Sequence, residues 1–208
     1  MIRNRNIDSL REQRVIPWNE FNVTVGTASG GAGAVTYEEV STFAYGGLGA
    51  GAANDEFSAL DLVTPSRMDP RHEIGVRVIW TVEGTVATDD AIVWEVRYDQ
   101  TDIGELLTAP AHPVGTALDT AIASQSPSVT TSLKLYRTSR GTINESRFDF
   151  TARQGVIAWN VEVGTLTQFS ANEAVFLALV VDYVPLWTVS PEEPNKGSLT
   201  SELTAAKK

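Results

Sequence analysis

The stretch that decides the fold is IGVRVIWTVEGTVATDDAIVWEVRY, residues 74–98. Apolar and polar residues alternate in residues 74–82, where Trp80 belongs to the apolar row, and again in residues 92–98 around Trp94. A period of two residues is typical of β-strands that bury one face. Because the link between the two segments is short and contains a glycine, the sequence predicts that they pair as an antiparallel hairpin.

The rest of the chain adds further strand candidates and one helix candidate. AVFLALVVDYVP, residues 174–185, is apolar on both faces and predicts a central strand. TALDTAIASQ, residues 116–125, has an apolar face at helical spacing and predicts a short helix. The other strand candidates are residues 21–25, 57–62, 129–137, 147–150 and 155–163. We therefore expect an all-β fold, a jelly-roll-like antiparallel β-sandwich over residues 20–186 with one short helix.

The two ends of the chain lack this pattern. Residues 1–14 contain few large apolar side chains and carry four arginines against two acidic residues. We expect residues 1–19 to form an extended N-terminal arm. Residues 190–208 contain two prolines and no aromatic residue, which predicts a C-terminal tail over residues 187–208.

Composition disfavours several classes of function. The chain of 208 residues has no cysteine and two histidines, which excludes thiolate chemistry and argues against a catalytic zinc. Its formal net charge of -10 argues against nucleic acid as a partner, because phosphate contacts need a basic face. No apolar run approaches the roughly 18 residues of a membrane span, and the N-terminus does not resemble a secretory signal. We expect no cofactor, no metal ion and no membrane partner.

A glycine-rich run, AYGGLGAGAAND at residues 44–55, raises the question of a phosphate-binding loop. A Walker loop needs a lysine after its glycines, and residues 26–56 contain neither lysine nor arginine. A dinucleotide fingerprint needs a following helix, and no helical pattern follows Gly51. We expect a structural loop whose small residues permit positive φ angles or close backbone approach.

Other candidates for chemistry are sparse. His72 and His112 lie in turn-rich segments, and no G-x-S-x-G motif occurs. Acidic pairs such as Asp89 and Asp90 do not indicate a glycosidase, because neighbours on a strand point to opposite faces. Calcium binding by loop carboxylates is left open as an alternative.

Five tryptophans stand out in the sequence. Trp80 and Trp94 belong to apolar strand faces, so we expect them in the core. Trp18 and Trp187 flank the sheet region and are candidates for packing, for a subunit contact or for stacking on a sugar.

Three segments together resemble a known family: RHEIGVRVIWTVEGTVATDDAIVWEVRYDQ (71–100), GTALDTAIASQSPS (115–128) and ANEAVFLALVVDYVP (171–185). Their order and wording are similar to the jelly-roll virion proteins of tailed bacteriophages, of the head decoration or cement type. The resemblance implies a trimeric β-sandwich without enzymatic activity, which is made in the host cytoplasm and binds the major capsid protein on the outer surface of the virion.

On this interpretation, the N-terminal arm holds neighbouring capsid subunits. Its expected capsid contacts are Arg3, Arg5, Arg11 and Arg14, and Trp18 is expected to seat the arm on the sandwich. The doubly apolar strand at residues 175–184 supplies more apolar surface than one core needs, which favours a homotrimer.

Two alternatives from other classes accompany the virion interpretation. The first is a tail-fibre tip or another carbohydrate- or receptor-binding β-sandwich module that uses exposed tryptophan or tyrosine side chains. The second is a hydrolase whose catalytic residues meet only in the folded chain, since such sites are spatial arrangements.

Overall fold

In a computed structural model, most of the described residues belong to β-strands. The described residues are 11–24, 36–39, 46–50, 55–61, 67–82, 91–102, 115–125, 134–147, 155–167 and 174–186. Within these ranges no helix is long and apolar enough to cross a membrane. The helical elements that lie entirely within these ranges are 3-10 turns, at Trp18–Glu20 and Glu145–Arg147.

The strands form two antiparallel sheets that pack face to face, which confirms the predicted β-sandwich. The first sheet contains β1 (Glu12–Pro17), β3 (Thr36–Glu39), β4 (Gly46–Ala50), β6 (Ile74–Val82), β9 (Tyr136–Arg137), β10 (Gly141–Ile143) and β12 (Ala174–Tyr183). The second sheet contains β2 (Asn22–Thr24), β5 (Glu56–Asp61), β7 (Ala91–Asp102), β8 (Thr116–Ala117) and β11 (Gly155–Thr167).

Strand order identifies the sandwich as a jelly roll. In the first sheet β10, β6, β12 and β4 are neighbours in that order, and β9 continues the edge formed by β10 beside β6. In the second sheet the order is β5, β11, β7 and β8. The chain therefore crosses between the sheets at nearly every connection from β4 onward, as in two interlocked Greek keys.

The predicted hairpin of residues 74–82 and 92–98 is wrong, because β6 and β7 belong to opposite sheets. Their apolar faces meet across the core instead, where the rings of Trp80 and Trp94 lie 6.0 Å apart in an edge-on contact. Alternation identifies the buried face of a strand correctly. It does not show whether that face belongs to a strand that pairs within the same sheet or to one that packs against it from the opposite sheet, because both arrangements give the same pattern.

Aromatic side chains fill the interior between the sheets. Trp80, Trp94 and Trp159 are fully buried, which confirms the core role predicted for the first two. Phe57 of the second sheet stacks on Phe176 of the first at 5.3 Å between ring centroids. These contacts join the two sheets into one core.

Strand β12 is central, as its apolar sequence predicts. It pairs with β6 on one side, and with β4 and β1 on the other. Its register shifts between Phe176 and Ala178, which marks a β-bulge at Leu177. Beyond the bulge Leu179 and Val181 face the core, whereas Asp182 lies on the outer face.

The helix predicted over residues 116–125 is absent. Thr116–Ala117 is instead the short strand β8, and the residues after it run beside two other strands. Thr120 and Thr142 exchange backbone hydrogen bonds, and so do Gln125 and Ile92. Backbone groups that pair across the sandwich in this way are not available for a helical ladder, so tertiary pairing overrode the local apolar spacing.

The glycine-rich run is a strand over part of its length, rather than the loop we predicted. Gly46–Ala50 is β4, which pairs with both β3 and β12. A Cβ atom at Gly47 would lie 2.3 Å from Cγ1 of Val175. The glycine at this position therefore permits close packing against β12. Close backbone approach was one of the two roles predicted for the small residues of this run.

The structure also revises the predicted N-terminal arm. Residues 12–17 form β1, which pairs along its full length with β12, so residues 11–19 belong to the sandwich. Residues 1–10, with Arg3 and Arg5, lie outside the described residues, as do Trp187 and the predicted C-terminal tail. Trp18 is half-buried and packs against the core cluster.

Ion pairs hold β1 on both of its faces. On the inner face Arg14 pairs with Asp61, a buried residue of the second sheet. On the outer face Arg11 pairs with Asp182 at 3.0 Å. Both arginines, which we predicted as capsid contacts, thus have intramolecular partners that fix the first strand to the sandwich.

Asp182 is the centre of a buried charge cluster on the outer face of the first sheet. Besides Arg11 it binds Arg77 at 2.8 Å and Arg140 at 2.9 Å, and Arg140 also pairs with Glu73. Burial alone would raise the pKa of Asp182, but the hydrogen bonds and charges of the arginines outweigh burial and lower it.

Candidate functional site

The outer face of the second sheet carries two rows of side chains that the strand register places side by side. One row runs across the strands from Asn22 through Ser58 and Asn160 to Arg97. The next row runs from Leu60 through Ala158 to Asp99. Each row crosses β5, β11 and β7, because residues opposite one another in antiparallel strands share a face.

A shallow cavity of about 120 Å³ lies over these rows. The small side chain of Ala158 forms the middle of its row, between the larger side chains of Leu60 and Asp99. Gly115 completes the lining beside β7 and has a φ of 89°; a Cβ atom there would lie 2.8 Å from the backbone oxygen of Tyr98. The hollow thus depends on two small residues at its centre and rim.

Asn160 is the most buried polar side chain of the hollow, with 2% of its surface exposed. Its amide nitrogen donates hydrogen bonds to Glu56 at 2.7 Å and to Ser58 at 3.1 Å. Its Oδ1 atom accepts no hydrogen bond from the described part of the chain. A buried acceptor without a donor costs about 1–3 kcal/mol, so this oxygen is a natural place for a donor from a bound water or ligand.

Further charged side chains flank the hollow on β7 and β11. Arg97 lies 3.2 Å from Glu95 and 4.0 Å from Glu162. A Cβ atom at Gly164 would meet the carboxylate of Glu95 at 2.3 Å, so this glycine leaves room for that side chain. Arg97 therefore forms one hydrogen bond, to Glu95, and does not belong to the described lining of the hollow.

Tyr98 and Trp159 line the hollow from below, because both side chains belong to the buried face. Burial raises the pKa of the Tyr98 hydroxyl, and the charge of Asp119 adds to this effect. Tyr98 therefore remains protonated at neutral pH and contributes no charge to the site.

The described residues do not assemble a metal centre, since no group of three or more His, Asp or Glu side chains among them is placed to hold an ion. His72 lies in the turn after Asp69, with 3.9 Å between its Nε2 and the Asp69 carboxylate. The same carboxylate binds Arg71 through two hydrogen bonds, and this fixes the turn. His112 and the acidic pair Asp89–Asp90 lie outside the described residues.

The predicted site residues do not converge on the hollow. Arg11, Arg14 and Trp18 lie at β1 and the turn that follows it. Sequence reasoning missed Asn160, although the alternation in GVIAWNVEV places Ala158, Asn160 and Glu162 on the face opposite Trp159. What the sequence lacked was the register that sets this face beside β5 and β7.

Comparison with known proteins gives similarity in structure only. No family model matches the sequence, and no curated protein matches it. One similar structure is the CBM36-1 domain of a multidomain xylanase from the hindgut metagenome of Trinervitermes trinervoides. It is 8% identical at a TM-score of 0.41, over 82% of this chain and 96% of that one.

Two further similar structures are xylan-binding modules. CBM15 is 11% identical at a TM-score of 0.43, over 83% of this chain and 97% of that one. CBM86 from the gut symbiont Roseburia intestinalis, described as a low-affinity module, is 12% identical at a TM-score of 0.35, over 85% of this chain and 98% of that one. These TM-scores are too low for the ligand of this chain to follow from them.

Proposed function

We propose that this protein is a glycan-binding β-sandwich module, with its ligand site in the hollow over Ala158 on the second sheet. The observation that carries the proposal is the buried Asn160, whose Oδ1 accepts no hydrogen bond from the described residues, beside an exposed aliphatic side chain, Leu60. This is the carbohydrate alternative of the sequence interpretation, moved from exposed tryptophans to a different set of residues.

The chemistry of the hollow matches the two-sided character of a sugar ring. Leu60, with 60% of its surface exposed, and Ala158 offer apolar contact to the C–H groups of a pyranose. Asn22, Ser58 and Asp99 place hydrogen-bonding groups around them for the hydroxyls. A few polar groups that converge on an apolar floor are typical of ligand sites.

The size of the hollow favours a polymer over a free monosaccharide. Sites that enclose a small molecule usually measure about 300–1,000 Å³, whereas this hollow has about 120 Å³. Such a hollow holds part of one ring and leaves the rest of the chain on the sheet surface. Affinity for a polysaccharide then arises from repeated weak contacts.

The proposal is tested by binding to soluble neutral polysaccharides in affinity gel electrophoresis and isothermal titration calorimetry. Xylan, which the names of two similar structures mention, is the first probe, and hydroxyethyl cellulose is the second. We expect saturable retardation that Leu60→Ala weakens and Ala158→Leu abolishes, because the first removes apolar contact and the second fills the hollow.

Leu135→Ala is the matched control. Leu135 is also exposed, at 65%, but it lies next to β9 at the edge of the first sheet. Equal retardation of the wild type, Leu60→Ala and Leu135→Ala would refute the site. Lack of binding to every neutral polysaccharide in the panel would refute the function.

A decoration protein of a phage capsid is the second candidate, and one feature of the first sheet favours it. Among the described strands β1 pairs only with β12, so its other edge has no described strand beside it. Val15 on this strand is 57% exposed. An edge strand of this kind can pair with another chain, as a subunit or a capsid contact. Jelly rolls serve both capsid and lectin roles, so the fold does not separate the candidates.

Light scattering coupled to size exclusion tests the oligomeric part of this candidate. A homotrimer is expected to have three times the chain mass of 22.5 kDa. Val15→Lys, which places a charge on the exposed side of β1 and keeps the Arg14–Asp61 pair, should reduce the mass if this edge forms the interface. A monomer that also fails to cosediment with its capsid shells would remove the candidate.

A further inference from the structure

We infer that the hollow selects uncharged glycans and rejects those that carry carboxylate or sulfate groups, with Asp99 as the selecting residue. This inference rests on the proposed glycan-binding function and specifies its ligand class. It starts from the charges on the outer face of the second sheet, where the described residues place four carboxylates and one guanidinium.

Asp99 is the one charged side chain among the described residues that line the hollow. It is half-buried, and no hydrogen bond or ion pair of its carboxylate is seen in the described part of the chain. An ionised carboxylate in this setting accepts hydrogen bonds from sugar hydroxyls. It repels a second anion at the same place, more strongly than in bulk water because part of its surroundings is protein.

The neighbouring cation on β7, Arg97, is not among the described residues that line the hollow. Arg97 stands two residues before Asp99 on the same face of β7, which puts their backbones roughly 7 Å apart at the rise of a strand. Its guanidinium donates one hydrogen bond to Glu95 at 3.2 Å and lies 4.0 Å from Glu162, and its Nε–H donates to no acceptor in the described part of the chain. The further carboxylate of Glu56, which accepts from Asn160, makes the neighbourhood more negative.

Anionic sugars therefore meet a site without an available guanidinium partner among the described lining residues. Recognition of a uronate or a sulfate usually requires an arginine or lysine at the ligand. Uncharged hydroxyls, in contrast, find an acceptor at Asp99. The geometry fits a ligand that brings donors and no negative charge.

Polymers with the same backbone, of which one member of each pair carries carboxylate substituents, test the inference. Hydroxyethyl cellulose is compared with carboxymethyl cellulose, and xylan with carboxymethyl xylan, at about 20 mM and about 500 mM salt. We expect the wild type to bind each anionic polymer about tenfold more weakly than its neutral counterpart at low salt. Repulsion between two unit charges about 4 Å apart near a protein surface is large enough to produce this ratio. High salt should reduce the ratio.

Asp99→Asn is the decisive variant, because it removes the charge and keeps the size and one acceptor oxygen. Its discrimination between the polymers of a pair should fall to less than threefold, with neutral binding largely retained. Glu145→Gln, on an exposed 3-10 turn outside the hollow, is the matched charge control and should leave the discrimination unchanged.

The outcomes separate the inference from the function beneath it. If the wild type binds no neutral polymer, the proposed function is wrong and the inference is wrong with it. If the wild type binds both members of each pair equally, or Asp99→Asn keeps the wild-type discrimination, the glycan site stands and charge selection by Asp99 is refuted.

Discussion

Replacing Asp182 by asparagine tests the charge cluster that anchors β1 and β12. Asp182 is 1% exposed and contacts Arg11, Arg77 and Arg140, whose side chains are 12%, 22% and 21% exposed. Asparagine keeps the shape and one acceptor oxygen. The substitution therefore removes little except the negative charge that compensates three largely buried guanidiniums.

The expected loss follows from this geometry. Removing one partner of a buried ion pair costs about 3–5 kcal/mol, because the other charge remains buried without compensation. The loss of a partner shared by three arginines increases the expected destabilisation. Their partial exposure and the remaining carboxylate of Glu73 decrease it. We expect Asp182→Asn to lower the free energy of unfolding by about 3 kcal/mol.

Urea denaturation followed by tryptophan fluorescence measures this loss. The matched control is Asp119→Asn, whose partner Arg147 is 53% exposed, and which should cost less than about 1 kcal/mol. If Asp182→Asn costs no more than Asp119→Asn, the carboxylate does not compensate the arginines in the way described. Equal m-values, the slopes of unfolding free energy against urea concentration, would show that both variants expose the same amount of surface when they unfold.

Three further predictions address pH, the second ion pair of β1 and the glycine strand. The pKa of Asp182 is lowered from its usual 3.8, so its charge stabilises the fold above that pH, and this stabilisation declines as the pH falls through the lowered pKa. Acid titration of the wild type should therefore show a loss of folding stability below pH 3.8 that Asp182→Asn lacks. Burial raises the pKa of Asp61, and the hydrogen bond and charge of Arg14 oppose this rise. Arg14→Ala should therefore cost about 1–2 kcal/mol at pH 7, and the cost should fall as the pH drops through the raised pKa and Asp61 takes up a proton. A cost that does not change between pH 7 and acid pH would argue against the pair. Gly47→Ala should destabilise by about 1–3 kcal/mol in thermal unfolding, because its Cβ atom overlaps Val175, and an unchanged melting temperature would show that β12 yields at this point.

The candidate site shows where the sequence stops being informative. The face of β11 that carries Ala158 and Asn160 can be assigned from alternation alone, because Trp159 between them belongs to the core. The hollow itself requires Leu60 of β5 and Asp99 of β7 to lie opposite Ala158 of β11 in the strand register. Pairing register between distant strands is set by core packing and turns, and no local pattern records it.

The sequence by itself determined that β5, β6, β7, β11 and β12 are strands, that β6 and β7 each bury one face, and that β12 is central. Alternation and doubly apolar runs are local consequences of burial, so they can be read without the fold. Only the tertiary structure decided that β6 and β7 face each other across the core, that residues 116–125 pair rather than coil, and that the glycines of β4 lie against β12. Each of these depends on a partner distant in sequence, and backbone hydrogen bonds and close packing can be satisfied by several partners until the whole core forms.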